Sequence, residues 1–340
     1  VFCSGGHWLA LVDHWKPNNI GSSGYSFLPV RFSHAKRHGL FIPWKAKSFA
    51  LNASKSDSNR PCVRVMVLAN TADKSVEFAL ALALLTPSLE VCGVVAEYSN
   101  GSASTRESFD ELSRVMDLAD TSAVGVPLIM GASGPINSIV STSSYDGDGA
   151  KAIVSEALHE DCRPLYLLCM GTLTDVALAL RISHKITQRV NVVWMGGRCY
   201  PNGGYEVNLA QDLVAAREVF TSCISLRQIP YEVYASFSVS LSELRHHVYS
   251  AGKLGKYLEG HLERSIRNST VKRTQIKLEN WMFGALSVVG ALLEKQSITY
   301  SKSPAPVIND DCSYGIPLDP TRVIRVCTGQ NKRFIFDNLY

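Results

Sequence analysis

What this 340-residue chain lacks already excludes several kinds of protein. Its nine cysteines, at positions 3, 62, 92, 162, 169, 199, 223, 312 and 327, form no CxxC pair and no cysteine–histidine cluster, so no zinc module is written into the sequence. An odd number of scattered thiols reads instead as reduced side chains of a reducing compartment, mostly buried as small hydrophobes. No apolar stretch approaches the roughly 18 to 20 residues of a membrane-spanning helix, and the longest, Phe78 to Leu85, suits a core helix. The net charge of +4 is too small to argue for nucleic acid. With 46% hydrophobic and 19% charged residues, the composition excludes disordered and collagen-like chains.

What acidic charge there is avoids the start of the chain. Residues 1–64 hold nine Lys and Arg against two acidic residues, a net of +7, so the remainder carries −3. The same segment contains Trp8, Trp15 and Trp44 and shows little helix or strand periodicity. We therefore divide the chain into a basic, aromatic-rich extension over 1–61 and a folded domain over 62–340. The stretch Phe27 to Arg60, with Asp57 as its one acidic residue, has the composition of an organelle transit peptide. A solvated linker and a docking arm for a protein or RNA partner are the alternatives, although nothing else in the chain supports RNA.

From Val63 onward, short apolar runs alternate with amphipathic stretches. The runs Val63–Leu68, Val91–Ala96, Pro127–Met130, Leu165–Met170 and Val190–Met195 read as buried strands. Helices are expected over Val76–Leu85, Ser108–Ala119 and Gly149–His159, from near Leu173, and over Leu213–Phe220. This alternation predicts an α/β fold with an open, mostly parallel sheet and helices on both faces, whose ligands sit at the carboxyl ends of the strands. Polar residues gather after two of those ends: Thr172 and Thr174 after Met170, and Asn202, Glu206 and Asn208 after Met195. For Glu206 and Asn208, helix capping and turn bonding is the alternative to lining a pocket.

The order Gly171-Thr-Leu-Thr-Asp-Val-Ala, Val192-Val-Trp-Met-Gly-Gly, Glu206-Val-Asn208, then Asp212 with Ala215-Ala216, resembles the nucleoside hydrolases. Their pattern runs GPLTNxA, a strand ending MGG, EFN, then DxxAA. The likeness extends over Asp161–Tyr166, Leu226–Val233 and Gly284–Leu293, covering roughly 62–328. It implies the N-ribohydrolase fold and a Ca²⁺ held by aspartates of an opening DTDAxNExDDQxA motif, a Thr carbonyl of GPLT and a late Asp. Such an ion needs about six to eight oxygen ligands, holds the ribose diol and acidifies the attacking water.

The chain departs from its relatives at those carboxylates. Counting back from Leu84-Leu85-Thr86-Pro87, the expected aspartates fall on Val67, Ala69, Ser75 and Val76, and the late one falls at Gly284. Only Asp73 and Glu77 are acidic in the stretch 69–77. The resemblance assigns sugar contacts to Asn100, Thr174, Asn202, Glu206 and Asn208, while catalytic residues and the family's Ca²⁺ are expected to be absent. The reading is a nucleoside-hydrolase-like pseudoenzyme, a structural or accessory subunit of a larger assembly, delivered to a mitochondrion or plastid by its basic extension. A protein partner or a second copy of the chain is expected, with a residual nucleoside or ribose ligand as a further expectation. Two alternatives stand beside it: an N-glycosidase with an altered or metal-free site using Glu206 or Asp73, and a nucleoside sensor without catalysis.

Overall fold

The computed structural model describes residues 63–99, 103–119, 125–139, 148–268, 280–293 and 295–340, together with four backbone strands nearer the start. The chain divides into two compact units, Val1–Arg60 and Pro61–Tyr340. In the first, the strands Phe2–Ser4, His7–His14, Gly24–Phe32 and Leu40–Phe41 pair antiparallel in sequence order. They lie where the sequence shows little strand periodicity. Trp8 to Val12 is apolar without alternation, so its strand leaves no period-two signature in the sequence.

The second unit is built on an eight-stranded sheet. Its strands are β1 (Val63–Ala69), β2 (Leu89–Ala96), β3 (Leu128–Met130), β4 (Leu165–Cys169), β5 (Val190–Met195), β6 (Ser225–Ile229), β7 (Ile298–Pro304) and β8 (Val323–Gln330). Their spatial order is β7-β8-β6-β5-β4-β1-β2-β3. Every neighbouring pair is parallel except β7 with β8. From β1 the chain proceeds to β2 and β3 on one side, then returns to β4 on the other. The switch point therefore lies between β1 and β4, where open α/β sheets bind their ligands.

Side chains alternate across the sheet as the pleat demands. Val65, Val67 and Ala69 of β1 enter one apolar layer, and Met66 and Leu68 enter the other. The first layer is covered by α1 (Ser75–Leu85), α2 (Thr105–Leu118), α7 (Gly252–Asn268) and α8 (Leu286–Leu293). The second is covered by α3 (Gly149–Leu158), α4 (Thr174–Ile182) and α6 (Leu213–Thr221), with the short α5 (Val207–Gln211) before the last of these. Helix α1, apolar but for Ser75 and Glu77 in its first turn, is buried through its first nine residues. α2, half exposed, keeps a polar face and starts in a reciprocal cap between Ser104 and Glu107.

Trp194, fully buried on β5, packs edge-on against Phe220 of α6 and donates its indole N–H to the Gly171 carbonyl at 3.0 Å. It thereby ties the sheet to the loop that enters α4. We expect Trp194→Ala to lower stability by about 3–5 kcal/mol, read from the midpoint of urea denaturation.

Candidate active site at the carboxyl ends of the strands

Strand β1 ends at Ala69, so the residues at its mouth are Asn70, Thr71 and Asp73. Val67 and Ala69 lie inside the apolar layer, Val67 paired with Val94 of β2 and Leu168 of β4. Val76 is likewise core. Ser75 is fully buried, with its hydroxyl donating to Asp73 Oδ2 at 2.9 Å and accepting from the Ala285 amide at 3.2 Å. Asp73 Oδ1 takes the Ser75 amide at 2.9 Å. Both carboxylate oxygens thus serve the start of α1, and burial pushes the Asp73 carboxyl above the usual range.

Gly284 stands just before α8, beside Ser75 and β5. A Cβ there would lie 2.7 Å from Cδ2 of Tyr234 and 3.3 Å from the Met195 sulfur. The tyrosine ring therefore holds the space that a side chain at 284 would enter. Its hydroxyl donates to Glu206 Oε1 at 2.6 Å, and burial together with that carboxylate pushes the phenol far above its ordinary range.

Glu206 and Asn208 are buried, and their bonds run inward. Glu206 is the N-cap of α5, accepting from the amides of Asn208 at 3.1 Å and Leu209 at 3.0 Å. It also accepts from the Gly197 amide at 2.7 Å. Burial raises its pKa, and these donors oppose the rise. Asn208 Nδ2 donates to the Met195 carbonyl at 2.8 Å. Glu206 thus does what the capping alternative expects, while the Asn208 side chain ties α5 to the end of β5. Thr174, fully buried at the start of α4, donates to Asp212 Oδ2 at 2.7 Å and lies 3.1 Å from the Tyr98 hydroxyl. Asp212 also caps α6 through the Ala215 amide and accepts from Ile136 N.

Asn202 is exposed in the turn before Gly203, its carbonyl accepting from Tyr314 N at 2.9 Å. Asn100 lies outside the described residues. A Ca²⁺ ion needs about six to eight oxygen ligands. At the positions where the resemblance places ligands, Val67, Ala69, Val76 and Gly284 offer no side-chain oxygen, and the side-chain oxygens of Asp73, Ser75 and Glu206 are hydrogen-bonded within the protein.

Sequence reasoning missed Glu97. It follows β2, is wholly buried, and neither carboxylate oxygen has a hydrogen-bond partner among the described residues. It sits at the switch point: a Cβ on Gly171 would be 2.5 Å from both Glu97 Oε2 and Asn70 Nδ2. Burial, reinforced by the nearby Asp175 carboxylate, pushes its pKa well up; the Thr172 hydroxyl pulls it down without reaching hydrogen-bond geometry. The one signal was position, an acidic residue directly after an apolar strand. A cleft of about 440 Å³ lined by Glu160, Asp161, Arg163 and Arg189 lies before β4 and β5, at the opposite end of the sheet.

The model of the inosine-uridine preferring nucleoside hydrolase family matches residues 73–332. The chain belongs to that family. Solved nucleoside hydrolases share its fold. A plant nucleoside hydrolase is 15% identical, with a TM-score of 0.65 over 82% of this chain and 98% of its own. An inosine-guanosine nucleoside hydrolase is 17% identical, with a TM-score of 0.64 over 81% and 97%. The inosine-uridine preferring enzyme of Bacillus anthracis is 14% identical, with a TM-score of 0.61 over 82% and 97%. No curated protein matches by sequence. In this nucleoside hydrolase family member the expected mostly parallel sheet and the resemblance itself both hold.

The raised pKa of Glu97 has a definite sign. A carboxyl titrating above its unfolded value of 4.5 gives its full stabilisation below that pH and loses it as the pH climbs through the folded value. Urea unfolding from pH 4.5 to 8 should show wild type losing stability relative to Glu97→Gln as pH rises. Parallel profiles would contradict this.

Proposed function

We propose that this chain is a nucleoside hydrolase family member that has lost calcium-dependent N-ribohydrolase activity and serves as a structural or accessory subunit. The observation that carries the reading is the Glu206 carboxylate, which spends its acceptors on Gly197, Asn208, Leu209 and the Tyr234 hydroxyl, while the Tyr234 ring crowds Gly284. To receive a sugar hydroxyl this carboxylate would have to give up at least one of its four buried hydrogen bonds, and a buried donor left unpaired costs about 1–3 kcal/mol. No carboxylate reaches the mouth from positions 67, 69, 75, 76 or 284 to hold a metal or activate water. The basic segment 1–61 is where organelle delivery or docking to a protein partner would act.

A second reading, a metal-free N-glycosidase or a nucleoside sensor, draws on Glu97, a buried carboxyl without a hydrogen-bond partner among the described residues. The two are separated by assaying hydrolysis of purine and pyrimidine ribonucleosides by the full chain, with Ca²⁺ and with EDTA. We expect no turnover above the uncatalysed rate in either condition. Calcium-dependent turnover would overturn the proposal, and EDTA-insensitive turnover abolished by Glu97→Gln would favour the second reading.

A further inference from the structure

Beside the strand mouth, at the first turn of α1, three side chains from three helices converge on one point. Glu77 of α1, Glu111 of α2 and His261 of α7 each present one ligand atom, all within 4.8 Å of one another. His261 Nδ1 lies 2.9 Å from Glu77 Oε2 and 3.2 Å from Glu111 Oε1. A ring nitrogen carries at most one hydrogen, so it can donate squarely to only one of the two oxygens. The other is left facing the same nitrogen.

The surroundings have the form of an outer shell. Lys74 Nζ donates to the other Glu77 oxygen, Oε1, at 3.1 Å, and also to the Thr71 carbonyl at 3.0 Å. The Tyr257 hydroxyl donates to Glu111 Oε1, the same oxygen that faces His261, and Arg114 lies over the Tyr257 ring. Such partners fix the orientation of metal-binding carboxylates. Glu77 is 1% exposed, while His261 and Glu111 are 19% and 20% exposed. The point is thus floored by protein and open on the side where water could complete a coordination shell.

We propose that Glu77, Glu111 and His261 form a binding site for a divalent transition-metal ion that joins α1, α2 and α7. A tetrahedral zinc with ligands at about 2.0–2.1 Å places those atoms about 3.3 Å apart. The 2.9 and 3.2 Å separations from His261 Nδ1 need to open only by a few tenths of an ångström, while the two carboxylate oxygens, within 4.8 Å of each other, would settle onto the ion by side-chain rotation. One imidazole and two carboxylates suit zinc and its first-row neighbours, with Nδ1 unprotonated and water in the remaining position. The site shares no side chain with the strand mouth, so its presence or absence leaves the reading of the mouth untouched.

The test is zinc titration by calorimetry of the EDTA-treated, dialysed full chain, with Co²⁺ absorption in the visible range as a second readout. Wild type should bind one equivalent that is lost in His261→Ala and in Glu111→Gln. Tyr257→Phe, which removes an outer-shell donor, should weaken that equivalent by roughly 10- to 100-fold. The exposed thiols Cys162 and Cys223 and the His246–His247 pair are competing zinc ligands. The equivalent must therefore survive Cys162→Ser, Cys223→Ser and His246→Ala. If His261→Ala does not fold, as judged by circular dichroism, Glu111→Gln at a partly exposed position decides. No zinc equivalent in wild type, or an undiminished one in Glu111→Gln, would overturn the site.

Discussion

The carboxyl mouth of the sheet depends on one buried carboxylate. Glu206 accepts from the amides of Gly197, Asn208 and Leu209 and from the Tyr234 hydroxyl, all at 2.6–3.1 Å. These four donors join the turn after β5, the start of α5 and the segment after β6. A carboxylate held by so many donors in a protein interior is an anchor, because losing any partner exposes the desolvation cost of the rest. Asn208 is fixed to Met195 alongside it, and Thr174 to Asp212 across the neighbouring strand end. The family's polar frame survives as a set of internal hydrogen bonds.

That arrangement is compatible with the proposed loss of activity, because the fold does not rest on the mouth. The parallel sheet is stabilised by two apolar layers, and Val67, Ala69 and Val76, where the resemblance places carboxylates, belong to the first of them. Gly284 and Tyr234 complement each other in the same way, a missing side chain matched by a ring. Fold alone does not settle function, and the likeness to solved nucleoside hydrolases, at 14 to 17% identity, speaks to the sheet and its helices.

Much of the sheet was legible because its strands are short, continuous apolar runs bounded by turn residues. The five strands expected from the sequence appear as β1 to β5 with shifts of a residue or two at their ends. β6, β7 and β8 escaped a reading by periodicity: Ser225–Ile229 interleaves Arg227 and Gln228, and Ile298–Pro304 is an edge strand with a polar, partly exposed face. Leu241–Tyr249 forms one α-turn and one π-turn, with His247 stacked on Tyr340. Local pattern carries no trace of that long-range contact. The pairing of Tyr234 with Glu206 and the meeting of Glu77, Glu111 and His261 join residues 28 to 184 positions apart, so neither had a sequence spacing to betray it.

The most direct measurement is a crystal structure of the full chain grown with Ca²⁺ and ribose. The account predicts the Tyr234 hydroxyl still bonded to Glu206, the Ser75 hydroxyl still bonded to Asp73, and no ion or sugar between β1 and β4. A calcium ion ligated by Asp73 or Glu97, with Tyr234 swung away from Gly284, would contradict it.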